Sequence, residues 1–309
     1  MLKPVYIFSG FLDSGKTRAI KQTLYDGRFN EGEKTLIIAL EQGDEEYDKK
    51  FLSATNSEVV YLDSIKELTK NKMQQLDQKY KPERIIIELN GMEDDNELYK
   101  QGFIKDWELA QSLTFFDASK FKMYITNMKQ FVFNHVVNAD VCVMNRSDDL
   151  DLVYLRNNLK GINQRLQIVF EGASGNITRQ AEQQLFDTSK DLYIKDADYG
   201  LWYMDALDNP LKYEDVKINL KLKYVTTVKE YENVCIMGRK AMVCCANDLQ
   251  DIAITCVNID PDKIDKDSYY DISGTVKVMD DTQGYKTCVI NVDELKETTP
   301  PSDELVYFN

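Results

Sequence analysis

The segment Gly10-Phe11-Leu12-Asp13-Ser14-Gly15-Lys16-Thr17 constrains this chain more than any other. It fits G-x-x-x-x-G-K-[ST], with the apolar run Val5–Phe8 before it and a helical pattern, Lys16–Leu24, after it. A strand turning through such a loop into a helix lets backbone N–H groups curl around a phosphate. In that role Gly10 and Gly15 permit the turn. Lys16 reaches the β and γ oxygens, Thr17 offers its hydroxyl to Mg²⁺, and the helix N-terminus adds positive potential. Ser14 and Arg18 join these residues as nucleotide-binding candidates. Asp13 belongs to the same loop, but a carboxylate beside phosphates repels them, so it is expected to point outward.

The rest of the first half agrees with a phosphate-binding α/β domain. Apolar runs recur at Thr35–Leu40, Val59–Leu62, Ile85–Leu89, Leu113–Phe116, Val141–Met144 and Ile168–Phe170. Most are apolar on both faces, as strands of a mostly parallel sheet covered by helices are. Between them lie helical patterns at Ile65–Tyr80, Phe121–Val137 and Leu150–Arg165. Near Asp191–Pro210 the period is lost, and afterwards short β-like runs follow at Val216–Tyr224, Val234–Cys245, Ile252–Val257, Tyr270–Met279 and Lys286–Val292. The expected fold is a P-loop NTPase domain over residues 1–190, a linker over 191–212, and a small β-rich, barrel-like domain over 213–309.

Two further segments fit nucleotide chemistry. Residues 84–91 read Arg-Ile-Ile-Ile-Glu-Leu-Asn-Gly, a buried strand ending in a carboxylate with a glycine three residues on. Glu88 could organise Mg²⁺ or the attacking water, and the Gly91 N–H could sense a γ-phosphate. The alternative is a buried strand ending in a solvated acid. Residues 139–148 deliver Asn145, Arg146 and Asp148 after another buried strand. An Asp148 carboxylate can accept from both guanine N1–H and the exocyclic amine, whereas adenine leaves it unpaired. Asn145 would bridge the base and the phosphate loop, and the Arg146 stem would cover the ring. The acidic loop Glu41–Glu46 follows the second strand, where Glu41 or Asp44 could approach Mg²⁺. For each acid of that loop a solvated role is the alternative.

These motifs together resemble the CobW-like GTPases, the cobalamin-synthesis and metallochaperone family. The resemblance rests on G-F-L-x-S-G-K-T, E-x-G, I-I-I-E-x-x-G, F-F-D-A-S-K-F and A-D-V-x-x-x-N-R-x-D in order, and covers roughly residues 1–185. It implies a Mg²⁺-dependent GTPase that couples its nucleotide state to metal delivery or metalloenzyme maturation. It also implies that Gly10, Gly15, Lys16 and Thr17 hold phosphate and Mg²⁺, that Glu41 and Glu88 sit in switch elements, and that Asn145 and Asp148 read the base. The family's usual C-x-C-C has no counterpart, since residues 44–82 hold neither cysteine nor histidine. Arg18 stands where a second Thr is common, and Arg146 where Lys is usual. In the second half, Gly238–Asp248 with its C-C pair, Tyr270–Val276 and Pro301–Tyr307 resemble a small β domain of unknown function that accompanies some bacterial subunits predicted to be permeases.

Of the six cysteines, Cys244, Cys245 and Cys256 cluster. They could offer soft thiolates to Zn²⁺, or could be small buried residues, as free cysteines often are. Adjacent cysteines on a strand face opposite ways, which favours the second reading. The sparse cysteines are expected to be reduced, in the cytoplasm. The one histidine, His135, reads as a satisfied helix-face residue. With 52 acidic against 38 basic residues the net charge is −14, which disfavours nucleic acid as a partner. No run approaches the roughly 20 apolar residues of a membrane-spanning helix. Two functions follow. One is a slow GTP hydrolase with GTP/GDP and Mg²⁺ as ligands, serving metal homeostasis and a protein client. The other is a GTP-switched adaptor without metal handling, whose C-terminal domain docks on a partner such as a transport system.

Overall fold

The computed structural model describes residues 2–43, 45–178, 186–228, 231–242, 249–281 and 284–306. Two compact units divide the chain, Met1–Gln180 and Ala181–Asn309.

In the first unit seven parallel strands form one sheet. They are β1 (Lys3–Gly10), β2 (Thr35–Ala39), β3 (Ser57–Tyr61), β4 (Arg84–Glu88), β5 (Trp107–Asp117), β6 (Val141–Asn145) and β7 (Gln167–Glu171), and a short β8 (Ile177–Thr178) pairs antiparallel with β7. The spatial order is β3-β2-β4-β1-β5-β6-β7-β8. Helices α1 (Lys16–Tyr25), α2 (Lys49–Ala54), α3 (Lys70–Tyr80), α4 (Asn96–Gln101), α5 (Phe121–Asn127), α6 (Lys129–Val137) and α7 (Leu152–Ile162) connect the strands. The strands are apolar on both faces because both faces are covered. Ile37 and Ile86 pack with Ile20, Leu24 and Phe51, while Leu36, Ile38, Ile85 and Ile87 pack with Met73, Leu76 and Leu98.

Two expected helices are divided. Thr69 caps α3, its hydroxyl accepting from the Lys72 N–H at 3.2 Å, so the pattern from Ile65 splits into a 3₁₀ turn and a helix. The pattern Phe121–Val137 breaks at Met128. There Thr126 and Asn127 turn their side chains back onto the Lys122 and Met123 carbonyls, at 2.7 and 3.0 Å.

The second unit holds β9 (Leu192–Tyr193), α8 (Tyr199–Asp208), β10 (Lys217–Thr227), β11 (Val234–Met242), β12 (Leu249–Val257), β13 (Tyr269–Asp280), β14 (Lys286–Thr298) and β15 (Leu305–Val306). Its sheet runs β15-β11-β12-β14-β13-β10-β9, and β10 also pairs with β11. That extra pairing closes β10-β11-β12-β14-β13 into a five-stranded barrel in which β12 and β14 are the parallel pair, the connectivity of an OB-type barrel. The stretch 191–212, expected as a linker, is instead part of this unit's core. Tyr199, Trp202 and Tyr213 are buried among the barrel's inward side chains. Because α8 is buried nearly all round it carries no amphipathic period, and a period search passes over it.

Candidate functional site

Parallel strands gather their carboxyl ends along one edge, where open α/β sheets bind ligands. Here β1 ends in Gly10, β4 in Glu88, β5 in Asp117, β6 in Asn145 and β7 in Glu171. Backbone sterics shape the first turn. Gly10 lies at φ 118°, and a Cβ there would stand 2.1 Å from the Phe115 carbonyl oxygen. Gly91 is pressed against the same loop, since its Cβ would stand 2.6 Å from both the Gly10 oxygen and Phe11 Cα. Helix α1 begins at Gly15 with no side-chain cap and no acid in its first turn, which suits an anion.

Around this turn the charged groups are tightly arranged. Lys16 Nζ donates to the carbonyls of Gly10 (2.7 Å) and Phe11 (3.0 Å) and pairs with Glu41 Oε2 at 2.6 Å. The other oxygen of Glu41 accepts from the Gly91 N–H at 3.4 Å. Thr17 Oγ1 donates to Glu88 Oε1 at 2.6 Å, and the Tyr47 hydroxyl donates to Glu88 Oε2 at 2.7 Å. Burial pushes the Glu88 carboxyl above its ordinary value, against the pull of these two hydrogen bonds. Burial and the Glu88 charge raise the Tyr47 phenol. Asp13 is exposed at φ 59°, and Arg18 is exposed beside it. The Ser14 hydroxyl is buried without a hydrogen-bond partner among the described residues.

The neighbouring loops supply a different chemistry. Asn145 Nδ2 donates to the Ser14 carbonyl, tying β6 to the phosphate loop, and its Oδ1 is buried without a partner among the described residues. Asp148 Oδ2 accepts from the Ala173 N–H at 2.6 Å. Arg146, at φ 53°, pairs with Asp117 at 2.7 Å. Burial pushes the Asp117 carboxyl up, but the Ser119 hydrogen bond and the Arg146 and Lys120 charges outweigh it and hold it below its ordinary value. Lys16, Thr17, Glu41, Glu88, Asn145, Arg146 and Ala173 all line one cleft of about 650 Å³.

The cysteine cluster lies elsewhere. Cys244 and Cys245 fall outside the described residues. Cys256 sits fully buried in the barrel core, directly across from Cys235 on β11. Burial pushes its thiol up, away from the thiolate that a soft metal needs. Full burial opposite Cys235 is the setting of a packing cysteine, the reading the sequence favoured over a metal ligand for Cys256. Among the described residues no group of three His, Cys, Asp or Glu side chains is placed to hold a metal.

Tyr47 carries no sequence signal noted above, and Asp117 and Lys120 stand in the F-F-D-A-S-K-F motif without an assigned role. Tyr47 is an aromatic closing an acidic loop, and Asp117 repeats the pattern of Glu88, a buried strand that ends in an acid.

The model of the CobW/HypB/UreG nucleotide-binding domain matches residues 4–170. The chain belongs to this family. Residues 171–308 match the model of the DUF1980 C-terminal domain. A search of curated proteins finds no match. Among solved structures, the chain is similar to the Zn(II)-bound YjiA GTPase from E. coli, with 15% identity over 98% of this chain and 91% of that one and a TM-score of 0.45. It is also similar to the hydrogenase maturation factor HypB from Archaeoglobus fulgidus, with 16% identity over 57% and 84% of the two chains and a TM-score of 0.42. The CobW/HypB/UreG domain accounts for the whole cleft up to β7. The loop after β7, with Ala173, falls in the second matched region. Among the described residues no helix is long and apolar enough to cross a membrane.

Proposed function

We propose that this protein binds guanine nucleotide with Mg²⁺ and hydrolyses GTP slowly, as a regulator of metal homeostasis or metalloenzyme maturation. The observation that carries the reading is the single cleft shared by Lys16, Thr17, Asn145 and Arg146, with Asp148 held by the adjoining Ala173. Lys16 and the first turn of α1 hold phosphate. Asp148, fixed at one oxygen by Ala173, accepts from the guanine N1–H and amine. Asn145 keeps that loop in register with Ser14. The oxygen donors Thr17, Glu88 and Glu41 suit a hard cation and leave Mg²⁺ a place beside the phosphates. Mg²⁺ when bound neutralises charge on the β and γ oxygens. No arginine finger is evident in the motifs, so intrinsic turnover is expected well below ~1 s⁻¹. Residues 44–82 contain neither cysteine nor histidine. That favours, as a second reading, an adaptor that uses the nucleotide switch without handling metal and docks on a transport-type partner. The four described cysteines are free, which fits a reducing, cytoplasmic setting.

Isothermal titration tests the base assignment. GDP with Mg²⁺ should bind roughly tenfold tighter than ADP or better, because a carboxylate that the bound base covers and leaves unpaired costs about 1–3 kcal/mol. Asp148→Ala should lose most of that preference. Equal affinity for the two nucleotides would sink the guanine reading, and near-stoichiometric metal in the purified protein would decide against the adaptor.

A further inference from the structure

His135 is the chain's single histidine, and it lies in the interior of the first unit. Its Nδ1 is 2.7 Å from Asp95 Oδ2, with the two side chains 0% and 2% exposed. Its Nε2 is 3.1 Å from the Gly91 carbonyl oxygen. A carboxylate and a carbonyl are both acceptors, so each ring nitrogen faces one, and the imidazole joins Asp95 to the Gly91 peptide. Burying such a pair costs desolvation that a plain apolar core avoids.

Asp95 shows a second cost. It stands at the N-cap of α4, where an aspartate ordinarily accepts from a first-turn N–H, yet its side chain caps nothing. One oxygen goes to His135, and Oδ1 has no hydrogen-bond partner among the described residues. The cap falls to Asp94, whose Oδ1 accepts from the Asn96 N–H at 3.1 Å, and Asp95 is left to the histidine.

What the histidine touches explains the exchange. Phe11 of the phosphate loop meets the imidazole edge-on, with ring centroids 5.3 Å apart, and Phe116 packs at 6.2 Å. Gly91, whose carbonyl the ring holds, is itself wedged against Gly10 and Phe11. Its N–H points the other way, toward Glu41. The ring therefore braces, from behind, both the phosphate loop and the residue whose N–H meets Glu41, a side chain that lines the cleft.

We propose that His135, held by Asp95, is a positioning residue that fixes the Gly91 peptide so that its N–H discriminates a nucleoside triphosphate from a diphosphate. The inference rests on the guanine-nucleotide reading above and adds to it the residues that set triphosphate selectivity. A diphosphate has no γ-phosphate to offer the Gly91 N–H, so the brace matters for one nucleotide and not the other. That difference separates it from a merely structural role, which would affect both alike.

The test is isothermal titration of the full chain with GDP and with a slowly hydrolysed GTP analogue, both with Mg²⁺. His135→Phe keeps an aromatic ring in the Phe11–Phe116 contact and removes both donors. It should weaken analogue binding roughly tenfold, as loss of one buried hydrogen bond does, and leave GDP binding within about twofold. The double variant His135→Gln with Asp95→Asn replaces the imidazole–carboxyl pair by two amides and keeps a donor for the Gly91 carbonyl, so it should restore the selectivity. If His135→Phe does not fold, Asp95→Asn alone and the double variant carry the same comparison, the first losing selectivity and the second regaining it. Selectivity equal to wild type in His135→Phe and in Asp95→Asn alone, or parallel losses for both nucleotides there, would overturn this inference alone. Failure of the unaltered protein to bind either nucleotide would overturn the functional reading and this inference with it.

Discussion

Glu88 in the first unit and Asp205 in the second are both buried acids that accept a hydrogen bond from a tyrosine hydroxyl, Tyr47 in one case and Tyr213 in the other. They differ in what else reaches them. Asp205 also accepts from Lys212 Nζ at 2.5 Å and from Asn209 at 3.0 Å, so its charge is balanced by a side chain seven residues on. Among the described residues Glu88 accepts one further side-chain hydrogen bond, from the Thr17 hydroxyl; the Lys16 charge acts on it from nearby, but that ammonium makes its contacts to Gly10, Phe11 and Glu41. One carboxylate has its counter-charge built in, and the other faces a cleft that can supply one. The same acid–tyrosine pair is thus architecture in the barrel and ligand chemistry at the sheet edge, and the third partner decides which.

If Asp205 is architectural, its loss should be the most costly change. Asp205→Ala leaves a half-buried ammonium and a buried phenol without their acceptor. It should destabilise the second unit by about 3–5 kcal/mol, read by denaturant unfolding. A loss below ~1 kcal/mol would break the comparison by showing that the pair is dispensable. On the other side, Lys16→Ala should weaken GTP binding by about 2–4 kcal/mol and remove hydrolysis, read by calorimetry and phosphate release. Wild-type turnover in that variant would refute the phosphate-loop assignment.

Glu88→Gln sharpens the contrast through pH. Burial raises the folded-state value of this carboxyl, so the folded chain holds the proton after the unfolded chain has released it. Stability contributed by this site therefore falls as pH rises from the ordinary carboxyl value, about 4.3, through the raised folded value. Without that ionisation, Glu88→Gln should be more stable than wild type at neutral pH and should lose the advantage below the ordinary value. Thermal unfolding across pH checks this. A variant less stable than wild type at neutral pH would show that Glu88 is balanced internally after all.

Much of this was legible in the residues. All seven parallel strands follow apolar runs, because strands buried on both faces leave an unmistakable block of Val, Ile and Leu. The phosphate loop, Glu88 and the Asn145–Asp148 segment also come from short local motifs whose chemistry needs fixed spacing. What escaped is of two kinds. Helix α8 is buried on nearly every side and has no period to find. Tyr47, Asp117, and the pairing of His135 with Asp95 are long-range contacts between loops and helices, set by the register of the sheet rather than by spacing along the chain. His135 in particular sits on a helix whose sequence looks amphipathic, and only the packing of α6 against the loop after β4 turns its ring inward.

The smallest effects separate the two tyrosines. Tyr47→Phe and Tyr213→Phe each delete one hydroxyl and keep the ring, which in Tyr47 packs 5.9 Å from Phe51 and in Tyr213 packs against Trp202. Each should cost about 1 kcal/mol of stability near neutral pH. Tyr47→Phe should also change the pH dependence. Glu88 without Tyr47 loses one of the two hydrogen bonds that oppose burial, so its carboxyl rises further. The folded chain then keeps the proton to higher pH, and the fall of stability with rising pH extends upward by the same interval. Denaturant midpoints measured across the range for wild type and both variants decide the matter. An unshifted profile in Tyr47→Phe would mean that the tyrosine has no part in how the buried Glu88 is held.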